Sequence, residues 1–326
     1  MTILTMRYDM RVPSIAKGSA ADRYAAAVEQ CAWAEENGFQ MCSLAEHHGV
    51  EDGFLPSPLI LAAAIAGRTK KMSLIISALL MPFHDPLRVA EDLAVLALLA
   101  PGRVSVVAGL GYRDEEFEFF GFDRKERAAR LEECVEVCRK AWTGEEFEFR
   151  GHRARVTPAP TVPPFFMYGG STELAARRAA RLKMAFMPAV GDRTLGEYYM
   201  EQCKANGWDG GFAMVPSGPG FVHVTEDPEK AWAELAPYAL HEATSYASWQ
   251  QPGQRSQVHV HGSDLDDVKA SGVYRVVTPD ECVALAEELG PFGALVFHPL
   301  MGGMDIDLGW ESLHLFADKV LPRLSK

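Results

Sequence analysis

The sequence has no apolar run of the roughly 18 residues that a membrane-spanning helix needs. Its opening residues, MTILTMRYDMRVPS, lack the apolar core of a secretory leader. Cysteine is sparse, six in 326 residues with no CxxC pair, which argues against a disulfide framework or a zinc ribbon. Cys134 and Cys138 lie four apart in a helical pattern and share one helix face. Reduced, mostly buried thiols and a cytoplasmic location are expected. Positive charge is in deficit: 32 Lys and Arg against 44 Asp and Glu leave a net charge of −12. That disfavours nucleic acids and anionic membranes as general partners, while a local basic patch for a phosphate stays possible. No GxGxxG follows the first strand-like segment, so the dinucleotide-binding fingerprint is missing. No repeat of 20 to 50 residues stands out.

What is present is ordinary globular composition, 48% hydrophobic and 23% charged, in a chain long enough for a large core. Strand-like and helix-like segments alternate. Met6 to Val12, Phe39 to Ala45, Met72 to Leu80 and Gly102 to Gly109 read as strands, separated by helices over Asp22 to Asn37, Ser57 to Arg68 and Pro86 to Leu99. A long amphipathic helix over Lys125 to Trp142 follows. Glu145 to Val156 alternates around Gly151 and predicts an inserted hairpin. Further strands are expected at Phe165 to Tyr168, Ala185 to Pro188, Phe212 to Val215, Phe221 to Val224 and Ala294 to His298, and a last helix at Ser312 to Leu321. Seven or eight β-α units with buried strands predict an α/β fold, a closed (β/α)8 TIM barrel with insertions, as one domain over residues 1–326. Thr244 to Tyr274 is polar and without period, and reads either as a mobile lid or as a surface excursion.

Four places at strand ends carry polar or glycine-rich residues, where barrel active sites lie. Glu46, His47 and His48 suit acid–base chemistry, since imidazole titrates near neutrality; adjacent residues of an extended chain point apart, so a shared metal is not expected. Tyr168-Gly169-Gly170-Ser171 leads from a strand into a helix, where glycines admit a ligand and free amides suit a phosphate; Ser171 or Thr172 also reads as an ordinary N-cap. Arg177, Arg178 and Arg181 on that helix read as a solvated face. Gly109 and Gly111 permit close approach of something flat, or only shape a turn. Phe297 to Gly303 is placed to close the pocket, with His298 read as a packed or hydrogen-bonded residue.

Taken in order, these segments resemble the bacterial luciferase-like flavin-dependent monooxygenases. The resemblance rests on Ala45-Glu46-His47-His48; on Ser77 to Pro82 with His84 to Asp92; on Pro101-Gly102-Arg103; on Gly109 to Tyr112 with Glu116-Phe117 and Phe120-Gly121; on Gly169-Gly170-Ser171 with Ala175 to Arg181; and on Thr278 to Glu281. It implies the same barrel. It implies reduced FMN as co-substrate, often delivered by a separate flavin reductase, and dioxygen, which forms a flavin hydroperoxide that oxidises a small organic substrate. His47 matches the active-site base, with His48 beside it. Glu46, Ser77, Ala78, Gly109, Gly111, Tyr168, Gly169, Gly170 and Ser171 are the expected cofactor-binding residues, with no metal site. A non-proline cis peptide is implied between Ser77 and Ala78, and a homodimer through helices beside the second and third strands. Where luciferase has a cysteine and an arginine after its fourth strand, this chain has Gly109 and Leu110, so light emission is not implied. A deazaflavin-dependent oxidoreductase that transfers hydride, and a non-catalytic flavin-binding or partner subunit, remain the alternatives.

Overall fold

Nine parallel strands make one sheet, and the helices between them carry the chain back over its outer face. The computed structural model describes residues 2–324 apart from 252, 254, 259 and 261–263. In chain order the strands are β1 (Ile3–Tyr8), β2 (Met41–Leu44), β3 (Ser73–Leu80), β4 (Val104–Gly109), β5 (Phe147–Phe149), β6 (His152–Ala154), β7 (Phe165–Gly170), β8 (Ala185–Pro188), β9 (Phe221–Val224), β10 (Tyr274–Val277) and β11 (Ala294–Phe297). The helices are α1 (Ala20–Glu36), α2 (Pro58–Arg68), α3 (Pro86–Leu99), α4 (Asp114–Phe120), α5 (Arg127–Ala141), α6 (Glu173–Arg181), α7 (Arg193–Ala205), α8 (Pro228–Trp249), α9 (Leu265–Ala270), α10 (Pro279–Leu289), α11 (Ile306–Leu315) and α12 (Leu321–Leu324). β5 and β6 form a separate antiparallel hairpin.

The sheet order is β10-β9-β11-β1-β2-β3-β4-β7-β8. The stretch 212–219 lies across the seam. The Phe186 N–H donates to Phe212 O and the Met214 N–H to Phe186 O, while the Ala294 N–H donates to Ser217 O. One run of chain is thus bonded first to β8 and then to β11, and the sheet closes into a barrel of eight walls. This handover explains why the strand expected over Phe212 to Val215 appears only as a single bridge at Ala213.

β1 starts earlier than the apolar pattern suggested, because Ile3 pairs with Ala294 and Thr5 with both Val296 and Met41. Thr5 and Arg7 face the lumen, so their polarity disguises a barrel strand. Several helices start on capping side chains: Ser19 and Asp22 form a capping box on α1, Thr278 and Glu281 another on α10, and Asp85 caps α3 just before Pro86. The last helix begins at Ile306 rather than Ser312, since Asp305 accepts the Asp307 N–H as its cap. The polar segment 244–274 is more ordered than expected: α8 runs on to Trp249, α9 follows, and Tyr274 opens β10; its residues 252, 254, 259 and 261–263 lie outside the described residues. Among the described residues no helix is long and apolar enough to cross a membrane.

Candidate active site

The C-terminal ends of the strands open onto a cavity of about 690 Å³. β2 ends at Leu44, and the next residues turn their side chains alternately. Glu46 points into the protein and is 1% exposed. One of its oxygens accepts from His48 Nε2 at 2.9 Å and His84 Nε2 at 2.8 Å, and the other accepts the Leu80 N–H at 2.5 Å. Burial works against the charge on this carboxylate. The histidines outweigh it and hold the Glu46 pKa down at about 2, while the carboxylate raises that of His84 despite its own burial. Glu46 therefore ties the loop after β2 to the end of β3.

His47 turns the other way, onto the cavity wall. Its Nδ1 lies 2.8 Å from Glu116 Oε1, on α4. The same oxygen accepts the His48 N–H at 3.0 Å, and Arg113 Nη1 lies 3.5 Å away. The His47 Nε2 lies 3.2 Å from the Tyr112 hydroxyl. Burial raises the pKa of Tyr112, so it stays a phenol and donates. A carboxylate on Nδ1 and a phenol on Nε2 favour the imidazole with its proton on Nδ1 and a basic lone pair on Nε2. Phe54 and Trp249 wall the ring at centroid distances of 4.8 and 5.1 Å, and the Arg113 guanidinium stacks on Trp249 at 4.5 Å.

The bond between Ser77 and Ala78 is cis, and both residues line the cavity. Gly109, one strand over, is required: a Cβ there would lie 2.7 Å from the Ala78 Cβ. At the far wall, β7 runs through Gly169 and Gly170 into Ser171 and the cap Thr172 of α6. A Cβ on Gly170 would meet Ala175 at 2.6 Å, so the backbone hugs the helix start. Arg124, Arg127, Arg178 and Arg255 line the same end of the cavity. Burial together with Arg124 and Arg178 lowers the pKa of Arg127, while Arg124 pairs with Asp114 at 2.7 Å. The Arg255 N–H donates to Ser171 Oγ at 3.3 Å, and its guanidinium reaches Ser171 O and Asp192.

The cavity thus gathers Glu46, His47, Ser77, Ala78, Gly109, Gly111, Gly169, Gly170 and Ser171. His48 and Tyr168 are not on its wall. The His48 ring sits between Phe83 and Phe120, held by Glu46, and the Tyr168 ring is fully buried between strands and helices. Phe297 to Gly303 does not close the pocket either, because Gly302 packs on the Tyr238 backbone of α8. The His298 imidazole is buried, its nitrogens 3.4 Å from Asp9 and 3.6 Å from Glu242. These three could geometrically surround a cation, but Arg7 pairs with Glu242 and the positive charge of Arg11 acts on Asp9. The reading of Arg178 as a solvated residue is corrected, since it faces the cavity. Glu116 and Tyr112 stood in the sequence pattern without a role; their contact with His47 comes from the turn into α4, which sequence periodicity did not reveal.

A profile of the luciferase-like monooxygenases matches residues 8–290. The chain belongs to the luciferase-like monooxygenase family. Among solved structures, the monooxygenase RslO1 from Streptomyces bottropensis is 24% identical with a TM-score of 0.77, each chain covered to 99%. The oxygenating constituent of 3,6-diketocamphane monooxygenase from Pseudomonas putida, solved in complex with FMN, is 20% identical with a TM-score of 0.71, again over 99% of both chains. These likenesses show the luciferase-like barrel. An F420-dependent glucose-6-phosphate dehydrogenase from Nocardia farcinica is 33% identical over 178 residues, 48% of this chain and 51% of that one. The chain spans about half the length of several curated relatives that it matches.

Proposed function

We propose that this luciferase-like protein is a monooxygenase that uses reduced FMN and dioxygen to oxidise a small organic substrate. The observation that carries the reading is the pairing, in one cavity, of an arginine-ringed glycine loop with the Glu116–His47–Tyr112 chain. The donor set fits the cofactor: Arg127, Arg178 and the backbone around Gly169 to Ser171 would hold the dianionic phosphate. Ala78, backed by Gly109, offers a flat apolar floor for a ring system. Reduced flavin, when bound, supplies the electrons that activate dioxygen. The chain's own residues do the rest. Glu116 fixes the His47 ring, His47 Nε2 takes or returns a proton at the cavity surface, and Tyr112 holds that nitrogen in place. Gln251, Gly253, Arg255, Ser256, Gln257 and Val258 line the cavity and, with Trp249 against His47, would cover the site as a lid and limit water. A separate reductase supplies the reduced flavin, and the six free thiols suit a cytoplasmic setting.

A second reading, hydride transfer with a deazaflavin, is favoured by the dehydrogenase relative and needs the same cavity. An anaerobic titration with reduced FMN and with reduced F420, each followed by mixing with oxygenated buffer, separates the two. Tight FMN binding and an oxygen reaction unlike that of free flavin are expected. Selective F420 binding with no oxygen reaction would move the protein to the hydride-transfer branch. Binding of neither removes the proposal.

A further inference from the structure

Charge is distributed unevenly between the chain and its cavity. The sequence as a whole carries −12, yet the described cavity wall holds five arginines, Arg7, Arg124, Arg127, Arg178 and Arg255, and one carboxylate, Glu46. Glu46 is already held by His48 and His84. The acidic partners of three of the arginines, Glu242, Asp114 and Asp192, lie off the wall. A cleft lined by cations favours anionic ligands. Four of the arginines stand around the glycine loop after β7. Arg7 does not: it is the next-to-last residue of β1, and β1 is four walls from β7 in either direction round the barrel. A phosphate held at the glycine loop therefore leaves Arg7 unexplained.

Arg7 is fixed in place with donors to spare. Its Nη2 donates to Glu242 Oε1 at 3.2 Å and to the Tyr246 hydroxyl at 3.1 Å, and its Nη1 to Gly220 O at 3.3 Å. A guanidinium has five N–H donors, so these contacts leave two. Among the described residues its Nε has no acceptor, and unlike Nε of Arg113 it is not sealed from solvent. Glu242 is 1% exposed and also accepts from the Tyr274 hydroxyl at 2.8 Å, so a ligand in the cavity meets the cation and not its counterion. From Arg7 a row of rings leads to the acid–base site. The guanidinium lies 6.0 Å from the Tyr246 ring centre, Tyr246 packs on Trp249 at 5.4 Å, and Trp249 packs on His47 at 5.1 Å. We propose that Arg7 is a specificity-determining residue that holds the carboxylate of a flat aromatic acid, whose rings lie along this row toward His47. That the acid is the substrate rests on the function proposed above.

The test is calorimetric titration of the full chain with 2-naphthoate and with 2-naphthamide, its neutral counterpart of similar shape. The acid is expected to bind about tenfold to a hundredfold more tightly, the value of a hydrogen bond to a charged group. Arg7→Met should erase that preference, Arg7→Lys should keep part of it, and Arg178→Ala, beside β7, should leave it unchanged. Arg7→Met strands the Glu242 carboxylate, so Arg7→Met combined with Glu242→Gln is measured beside it; this double variant removes both charges and should fold without regaining the preference. Equal binding of acid and amide by the native protein overturns the proposal. So does a preference that survives in both methionine variants, or one that is lost in Arg178→Ala instead. Reduced FMN is titrated in parallel. Weaker FMN binding in Arg7→Met with the acid preference unchanged would assign Arg7 to the flavin and overturn the proposal. A native protein that binds no FMN but keeps the acid preference removes the proposed function and leaves the anion site at Arg7 standing; FMN binding with no acid preference removes the Arg7 site alone.

Discussion

His47 and Glu46 are neighbours with opposite tasks, and their variants should fail in different ways. His47→Ala removes the basic nitrogen from the cavity wall while Glu46 still holds the loop. Turnover is expected to fall about a hundredfold to ten-thousandfold, the usual range for losing a positioned acid–base group, with flavin binding retained. Full turnover in that variant would show that His47 moves no essential proton. Glu116→Gln keeps the ring in place but removes its negative partner, so turnover should fall more than the flavin affinity does. Glu46 is a stability residue. Its pKa falls from the ordinary 4.5 to about 2 in the fold, so its contribution is complete above 4.5 and is lost as pH drops toward 2. Glu46→Gln should cost about 3–5 kcal/mol in denaturant unfolding near neutral pH, the range for breaking a buried pair, and the variant should lose that acid-side dependence.

The glycine loop into α6 and the chain entering α5 would make the proposed phosphate end jointly. Arg124 and Arg127 come from the chain entering α5, and Arg178 from α6. That is why His47 stood out in the sequence at a strand end and the arginines did not, since convergence of two helices is a tertiary fact, while His48, equally prominent in the sequence, lies off the cavity wall. The same reason hid Glu116 on α4, a seven-residue helix too short to show a period. Strand β1 was misplaced by a few residues because its inward side chains, Thr5 and Arg7, look out onto a cavity rather than a core. Arg127→Ala should weaken FMN binding about tenfold to a hundredfold, the value of a hydrogen bond to a charged group, and leave riboflavin binding unchanged. Equal loss for both ligands would place the phosphate elsewhere. Gly109→Ala tests the floor: its new methyl would press on Ala78, and a loss of about 1–3 kcal/mol of stability is expected from overpacking.

At the scale of the whole molecule, the outer face beside β2 and β3 is unusual in what it leaves to solvent. Ile60 on α2 is 73% exposed, and Val95 and Leu99 on α3 are 47% and 51% exposed. The two helices pack on each other, so these side chains can share one apolar surface. Alanines and Gly67 along α2 keep the helix slim, which would let a second copy approach closely. On a chain of net charge −12, pairing an apolar surface with itself would add no charge to the contact. We propose a symmetric dimer that pairs this face with itself. Sedimentation equilibrium should give twice the chain mass, and Ile60→Glu should convert it to the monomer, because two carboxylates would meet near the dyad. The cavity opens at the strand ends and not on this face, so the monomeric variant should still bind reduced FMN. A native protein that sediments as a monomer would leave Ile60, Val95 and Leu99 as a solvent-facing patch and remove the dimer.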